Sequence, residues 1–304
     1  MAVPIVHHPC YAKPLPHRRG FPMGKYARLI QLLRQQGLAT AQACHEPDLA
    51  SRWWLELAHD SDYVDAILAQ TADQAVMRRI GLPLSPQLAD RARAGVGGTV
   101  LAARLALQRG IACNSAGGSH HAAVGHGAGY CVFNDVAVAA RVLQAMGLAM
   151  KMLVIDLDVH QGDGTAQIFR GDGAVHTFSM HCEDNFPVRK QAGDRDVGLP
   201  VDMGDEEYLD ILGAELRTLL SGTDPDLVFY NAGVDPHRDD RLGKLALSDD
   251  GLARRDAMVI EACAARGLPI ACVLGGGYAR DAGTLAQRHS LLYAAADRCY
   301  REIN

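Results

Sequence analysis

The chain lacks several features at once, and each absence removes a class of function. No apolar run approaches the ~20 residues that cross a bilayer, so no membrane span is expected. Positive charge is not in surplus: 30 Lys and Arg stand against 35 Asp and Glu, a formal charge of −5. A nucleic-acid binder shows a basic face, so no nucleic-acid partner is expected, and the short cluster His17-Arg18-Arg19 reads as a solvated loop. No C-x-x-C pair occurs among the eight cysteines (Cys10, Cys44, Cys113, Cys131, Cys182, Cys263, Cys272, Cys299). A chain of 304 residues needs no disulfide staples. Several of these cysteines lie in apolar runs, as Cys272 does in PIACVLGG, where a free buried thiol is the ordinary state. The opening MAVPIVHHPC has neither a charged n-region nor an adequate apolar stretch for a secretory signal. A cytoplasmic protein with reduced thiols is the expectation. Internal repeats, low-complexity stretches and Pro/Gly/Ser-rich linkers are also missing, which favours one domain over residues 1–304.

What is present is an ordinary globular composition, 48% hydrophobic and 21% charged, with a strong alternation of patterns. Short β-branched runs begin at Pro4 (PIVHH), Ile111 (IACN), Lys151 (KMLVIDLD), Ala174 (AVHTFSM), Asp226 (DLVFYNAG) and Pro269 (PIACVLGGG). Between them lie amphipathic stretches: GKYARLIQLLRQQG, NDVAVAARVLQAMG, DEEYLDILGAELRTLL and SDDGLARRDAMVIEACAARG. The last opens on a capping signal at Ser248 and closes at Gly267 before Pro269. Strand and helix alternating at this spacing predict an α/β fold with a central parallel sheet flanked by helices on both faces. The less patterned region from Leu38 to Asp90 is helical and is expected to wrap the sheet.

In such a sheet, ligands sit outside the carboxyl ends of the strands. Four polar groups fall there: His120 and His121 after IACN; Asp156, Asp158, His160 and Asp163 after KMLVI; Asp235 after LVFYNAG; and Tyr278 after ACVLGGG. Ionised carboxylates at the end of an apolar strand are costly unless paired or bound to a metal. At i, i+2 and i+4, Asp156, Asp158 and His160 share one strand face, and Asp235 could complete a three-ligand site with an open position, as in catalytic zinc centres. The alternative is a solvent-facing charge cluster. His120 and His121, next to Gly117, Gly118 and Ser119, suit general acid–base chemistry if Asp156 and Asp163 fix their tautomers. Otherwise they are two satisfied core histidines. Tyr278 could donate to a developing oxyanion, or simply pack. The glycines before it match neither G-x-G-x-x-G nor G-K-[ST], so a phosphate loop is a weak reading.

Six separated motifs, GGSHHA, GYCVFND, VIDLDVHQGDGT, FSMHCEDNFP, YNAGVDPHRDDRLGKLALS and LGGGYARD, together resemble the histone deacetylase family, which has the arginase/deacetylase-like fold. The resemblance covers most of the chain, most strongly Asn114 to Arg280, and is nearest to the class IV branch and its bacterial homologues. It implies a metal-dependent hydrolase of linear amides that removes acetyl or longer fatty acyl groups from lysine Nε. By this resemblance Asp158, His160 and Asp235 are zinc ligands, and Asp156 stands behind them beside His120, helping to hold a structural potassium ion with Ser179 and the Met180 carbonyl. His121, paired with Asp163, is the main base and acid; His120 assists electrostatically; Tyr278 bonds the amide oxygen. The substrate stem is placed between Gly129–Tyr130 and Phe186, and the loops Pro14 to Lys25 and Asn185 to Asp196 form the rim. Ferrous iron would accept the same ligands as zinc.

The chain departs from the family pattern at Gln161, where many relatives carry histidine though class IV members carry glutamine, and at Ser119, which bears on acyl-chain preference. The competing substrate is a small acylated amine. An acylpolyamine hydrolase tends to place an acidic gatekeeper where this chain has Leu242, although Asp239 and Asp240 lie close by. An arginase-type ureohydrolase would need further carboxylates for a second manganese ion, and a catalytically silent binding protein would not need every one of these residues.

Overall fold

The structure, a computed structural model, describes residues 2–13 and 21–304. The basic cluster at His17 and most of the Pro14 to Lys25 segment lie outside the described residues. The strands are β1 (Ile5–Val6), β2 (Cys44–His45), β3 (Ile111–Asn114), β4 (Met152–Asp156), β5 (Val175–Cys182), β6 (Arg195–Leu199), β7 (Leu227–Asn231) and β8 (Ile270–Val273). The helices are α1 (Gly24–Gln35), α2 (Arg52–Glu56), α3 (Ser61–Leu68), α4 (Gln74–Ile80), α5 (Pro86–Arg109), α6 (Asp135–Ala145), α7 (Asp163–Ile168), α8 (Asp205–Gly222), α9 (Asp249–Ala264) and α10 (Ala282–Ile303).

All eight strands pair in parallel in the order β2-β1-β3-β8-β7-β4-β5-β6. The apolar runs alternate sides with the strand period of two. On β4, Leu153 and Ile155 enter one core while Met152 and Val154 enter the other. Val228 and Tyr230 against Leu227 and Phe229 on β7 divide in the same way, as do Ile270 and Cys272 against Ala271 and Val273 on β8. Leu29 and Leu33 of α1, Leu212 and Leu216 of α8, Val259 of α9 and Leu292 of α10 cover the first face. Ile67 of α3, Val96 and Val100 of α5, and Val138 and Val142 of α6 cover the second. Both faces are therefore dry, which is why the strands read as continuous apolar runs.

The expected α/β architecture holds, with additions. β2 has two residues and β6 is a partly exposed edge strand reading RDVGL, so neither announces itself by hydrophobicity. The Leu38 to Asp90 region holds three short helices and β2, and α5, capped by Ser85 with Pro86 in its first turn, runs on from it to Arg109. The Ser248 signal does cap α9, its Oγ accepting from Gly251 N at 3.0 Å.

The connectivity places the site. From β3 the chain passes over two positions to β4, and β7 and β8 return later to fill them. Oppositely directed crossovers meeting in a parallel sheet open a crevice at the carboxyl edge. The four polar groups follow β3, β4, β7 and β8, four strands adjacent in the sheet.

Candidate active site

β4 ends at Asp156, and the backbone then leaves the strand direction through Leu157 to His160. This corrects the one-face reading of Asp156, Asp158 and His160. Asp156 stays behind, its Oδ2 at 2.7 Å from His120 Nδ1 and its Oδ1 accepting from Asn231 Nδ2 at 2.9 Å. Asp158, His160 and Asp235 come together instead, with donor atoms all within 4.8 Å of one another and all three side chains buried.

These three fit a divalent cation on grounds internal to the structure. His160 Nδ1 lies 3.0 Å from Asp158 Oδ1 and 3.2 Å from Asp235 Oδ2. Asp235 Oδ2 is buried and out of line for any hydrogen bond. Burial would lower His160, yet the two carboxylates outweigh it and push the imidazole up to about 10. Burial and the Asp158 charge push Asp235 upward. Two carboxylates and an imidazole held in a dry site favour positive charge among them, and this is the donor set of an open catalytic centre. Gly276 makes the approach possible: a Cβ there would collide with the Asp235 and Asp158 carboxylates, and its N–H donates to Asp158 Oδ2 at 2.6 Å.

Beside the triad stand the tandem histidines, ring centroids 4.1 Å apart. His121 Nδ1 is 2.6 Å from Asp163 Oδ1. Burial and the neighbouring His120 hold His121 down to about 4, so its imidazole is neutral near pH 7. Burial acts against His120 too, but the Asp156 and Asp158 carboxylates overcome it and push that ring up to about 9. One pair of like side chains thus supplies a neutral imidazole and a charged one. Burial, with the charges of Asp158 and Asp235, raises Tyr278 well above its ordinary value and keeps the phenol protonated. Its N–H donates to Asp240 Oδ2 at 2.6 Å.

A tunnel of about 400 Å³ leads to this group, lined by His121, Gly129, Tyr130, His160, Phe186, Leu242 and Tyr278, with Arg79, Ile80 and Gly81 from the end of α4. Phe186 meets His121 edge to face at 4.8 Å, and Tyr130 lies 5.8 Å from Tyr278. Gly129 (φ +53°) presses on the His121 ring: a Cβ would sit 2.5 Å from Cδ2. The next residue, Tyr130, adopts φ +69°, a conformation disfavoured for a bulky side chain and held by the wall around it. Beyond the Asp158–His160–Asp235 group a smaller cavity of about 50 Å³ is lined in part by Lys25, Arg91, Ser119, Tyr130 and Asp135. Asp156 and Ser179 line a small space of about 10 Å³, the size of a single probe sphere. Gln161 turns its amide to Gln191 O (2.7 Å) and Asp196 Oδ1 (2.8 Å), fastening the loop before β6.

Two contributors, Asn231 and Asp135, were not singled out by sequence, and a third, Asp240, was read only as a possible partner of a polyamine. Asn231 donates to Asp156 behind His120; Asp240 positions Tyr278; Asp135 accepts from Gly118 N (3.1 Å) and Ser119 N (2.7 Å), shaping the turn before His120. Their motifs were legible, but their roles depend on partners far along the chain.

Fold and site together define an α/β protein with two buried histidines beside an Asp-His-Asp group that fits a metal ion, at the mouth of a crevice. The comparisons agree. A histone deacetylase domain model matches residues 20–293. An uncharacterised protein of Picosynechococcus sp. is 52% identical over 99% of this chain and 100% of its own length. Histone deacetylase 2 of Arabidopsis thaliana is 29% identical over 86% of this chain and 70% of its own. In structure, an HDAC homologue from Aquifex aeolicus superposes with a TM-score of 0.80 at 21% identity, over 100% of this chain and 88% of that one. The chain belongs to the histone deacetylase family. It is accordingly a deacetylase-type hydrolase acting on amides.

Proposed function

We propose that residues 1–304 form one catalytic domain that hydrolyses Nε-acyl-lysine, with a divalent cation held by Asp158, His160 and Asp235. The observation that carries this reading is the buried Asp158–His160–Asp235 group, in which Asp235 Oδ2 makes no hydrogen bond and His160 lines a tunnel that also presents His121 and Tyr278. Zinc, or ferrous iron, bound there would polarise the amide carbonyl and acidify water.

The chain's own residues do the rest. Phe186 and Gly129–Tyr130 flank the lysine stem and exclude water from it. His121, neutral and fixed through Nδ1 by Asp163, takes a proton at Nε2 and returns it to the leaving amine. His120, charged against Asp156, stabilises negative charge developing nearby, and the Tyr278 phenol donates to the carbonyl oxygen. Asp156 and Ser179 are the proposed potassium ligands. The acyl group points into the inner cavity, whose volume of about 50 Å³ supports acetyl over long fatty chains despite the class IV resemblance. Eight free cysteines support a reducing, cytoplasmic location.

The alternative substrate, an acylpolyamine, is weakened at the mouth. Leu242 is apolar, both Asp240 oxygens accept backbone N–H groups (Leu242, Gly243 and Tyr278), and Asp239 pairs with Arg288 at 2.9 Å. Among the described residues, neither Asp239 nor Asp240 is left free there to hold a distal ammonium. The test is acyl release from acetyl-, decanoyl- and myristoyl-lysine peptides and from acetylspermidine and acetylputrescine, with and without a chelator. Chelator-sensitive release, greatest from acetyl-lysine, is expected. Release from polyamines alone, or release indifferent to chelator, would overturn the reading.

A further inference from the structure

We infer that the tunnel mouth selects acyl-lysines set in acidic sequence, so the partner is an acidic peptide segment. This rests on the deacylase reading and deepens it. Three segments frame the mouth: the end of α4, the loop after Phe186, and the turn before Lys244. Each carries an exposed arginine. Arg79 lines the tunnel itself, Arg189 follows Phe186 in its loop, and Arg241 immediately precedes Leu242. Among the described residues, none of the three has a carboxylate within ion-pair distance. Lys190 and Lys244 add charge and donate to main-chain carbonyls alone: Glu183, Asn185 and Pro187 for the first, Asp184 for the second.

The carboxylates of the same segments do not cancel this. Asp240 and Asp239 are engaged as described, Glu183 meets only the neutral His181 at 3.9 Å, and Asp184 has no side-chain partner, which leaves two free carboxylates against five cationic side chains. A chain with net charge −5 therefore presents a positive rim at its tunnel. A helix C-terminus accounts for Arg78 and Arg79 through the dipole, but not for Arg189 or Arg241. Arg79 is also fixed in place: Gly129 N donates to Arg79 O at 3.2 Å and Tyr130 N to Ile80 O at 2.7 Å, joining α4 to the tunnel wall.

Acylation removes the lysine's own charge, so the charge the rim meets belongs to the substrate's flanking residues. Glutamate or aspartate there is attracted, and lysine or arginine, like the free ammonium groups of an acylpolyamine, is repelled. Exposed charge pairs contribute about 0.2–1 kcal/mol, which is up to about fivefold in affinity for each.

The experiment compares the metal-loaded protein on acetyl-lysine peptides of equal length flanked by glutamate or by lysine. The glutamate peptide is expected to be favoured by about fivefold or more in kcat/KM, carried by KM, and the preference should shrink in high salt. Arg79→Ala should reduce the ratio and Arg79→Glu should move it toward the lysine peptide. Equal kcat/KM for the two peptides, or a preference untouched by Arg79→Glu, overturns the inference while leaving the deacylase reading intact. Release from neither peptide overturns both.

Discussion

His120 and His121 are chemically the same and adjacent, yet their surroundings separate them: Asp156 and Asp158 charge the first, while burial keeps the second neutral. A base must be neutral to accept a proton, which makes His121 the residue whose loss should cost most. His121→Ala is expected to lower kcat by about 10²–10⁴-fold, and Tyr278→Phe by about 10²–10³-fold. Both variants should bind one metal ion per chain, measured by elemental analysis; full activity in either removes that residue from the mechanism. Asp235→Ala should instead lose the metal, because it takes away the orphaned oxygen. At this scale the sequence was partly legible. Carboxylates that follow MLVI are conspicuous because burial penalises them, and the tandem histidines stand out beside glycines. Spacing could not separate Asp156 from Asp158, because a strand period holds only while the chain remains a strand, and β4 stops at Asp156. The roles of Asn231 and Asp240 were hidden for a related reason: an amide and a carboxylate in a polar motif acquire meaning from the atoms they meet.

Among the elements, the one that braces the site from behind is α9. Arg255 is fully buried, donating to Gly233 O at 2.6 Å and Leu157 O at 3.3 Å while pairing with Asp256 at 2.8 Å. Those carbonyls belong to the two turns that carry Asp158 and Asp235, so one guanidinium ties both turns to a helix. Asp256 in turn accepts from Tyr230 Oη of β7 at 2.6 Å. Arg255→Met leaves Asp256 buried without its cation and both carbonyls without a donor. A loss of about 3–5 kcal/mol in unfolding free energy is expected, with weaker metal binding in the folded fraction. Urea denaturation and metal titration check the two parts, and a loss under about 1 kcal/mol would place Arg255 outside the frame. The helical pattern of SDDGLARRDAMVIEACAARG was readable, but an arginine on it reads as solvated until the turns beneath are seen. The same limit hid β6, whose charged residues suit an exposed edge, and β2, too short to show a period.

Across the whole molecule, burial of neutral histidines ties stability to pH and to the tunnel together. His59, just before α3, is 3% exposed; it donates from Nδ1 to Ala123 O at 2.9 Å and accepts at Nε2 from Asn134 N at 3.0 Å. Those bonds require the neutral ring, and they join the helical wrap to the loop that carries Gly129 and Tyr130. Burial lowers His59 to about 4 from 6.5. Between those values the unfolded chain binds the proton and the folded one does not, so stability is full above about pH 6.5 and falls as pH drops toward 4. Acidification to about pH 4 therefore costs about 3 kcal/mol of stability at this one ring. Burial also holds His7 and His181 down to about 4, and both add in the same direction. The contribution of these histidines to unfolding free energy is therefore expected to be lost from pH 6.5 to pH 4, while the buried Asp235 carboxyl, pushed upward, acts in the opposite direction. His59→Gln, which cannot take up a proton, should start lower at pH 7.5, having lost one ring hydrogen bond, and then fall less steeply. Denaturant midpoints at pH 7.5, 6 and 5 decide the matter. Equal slopes for the two proteins would mean that acid enters elsewhere, and that the joint between α3 and the tunnel wall is not where the fold first yields.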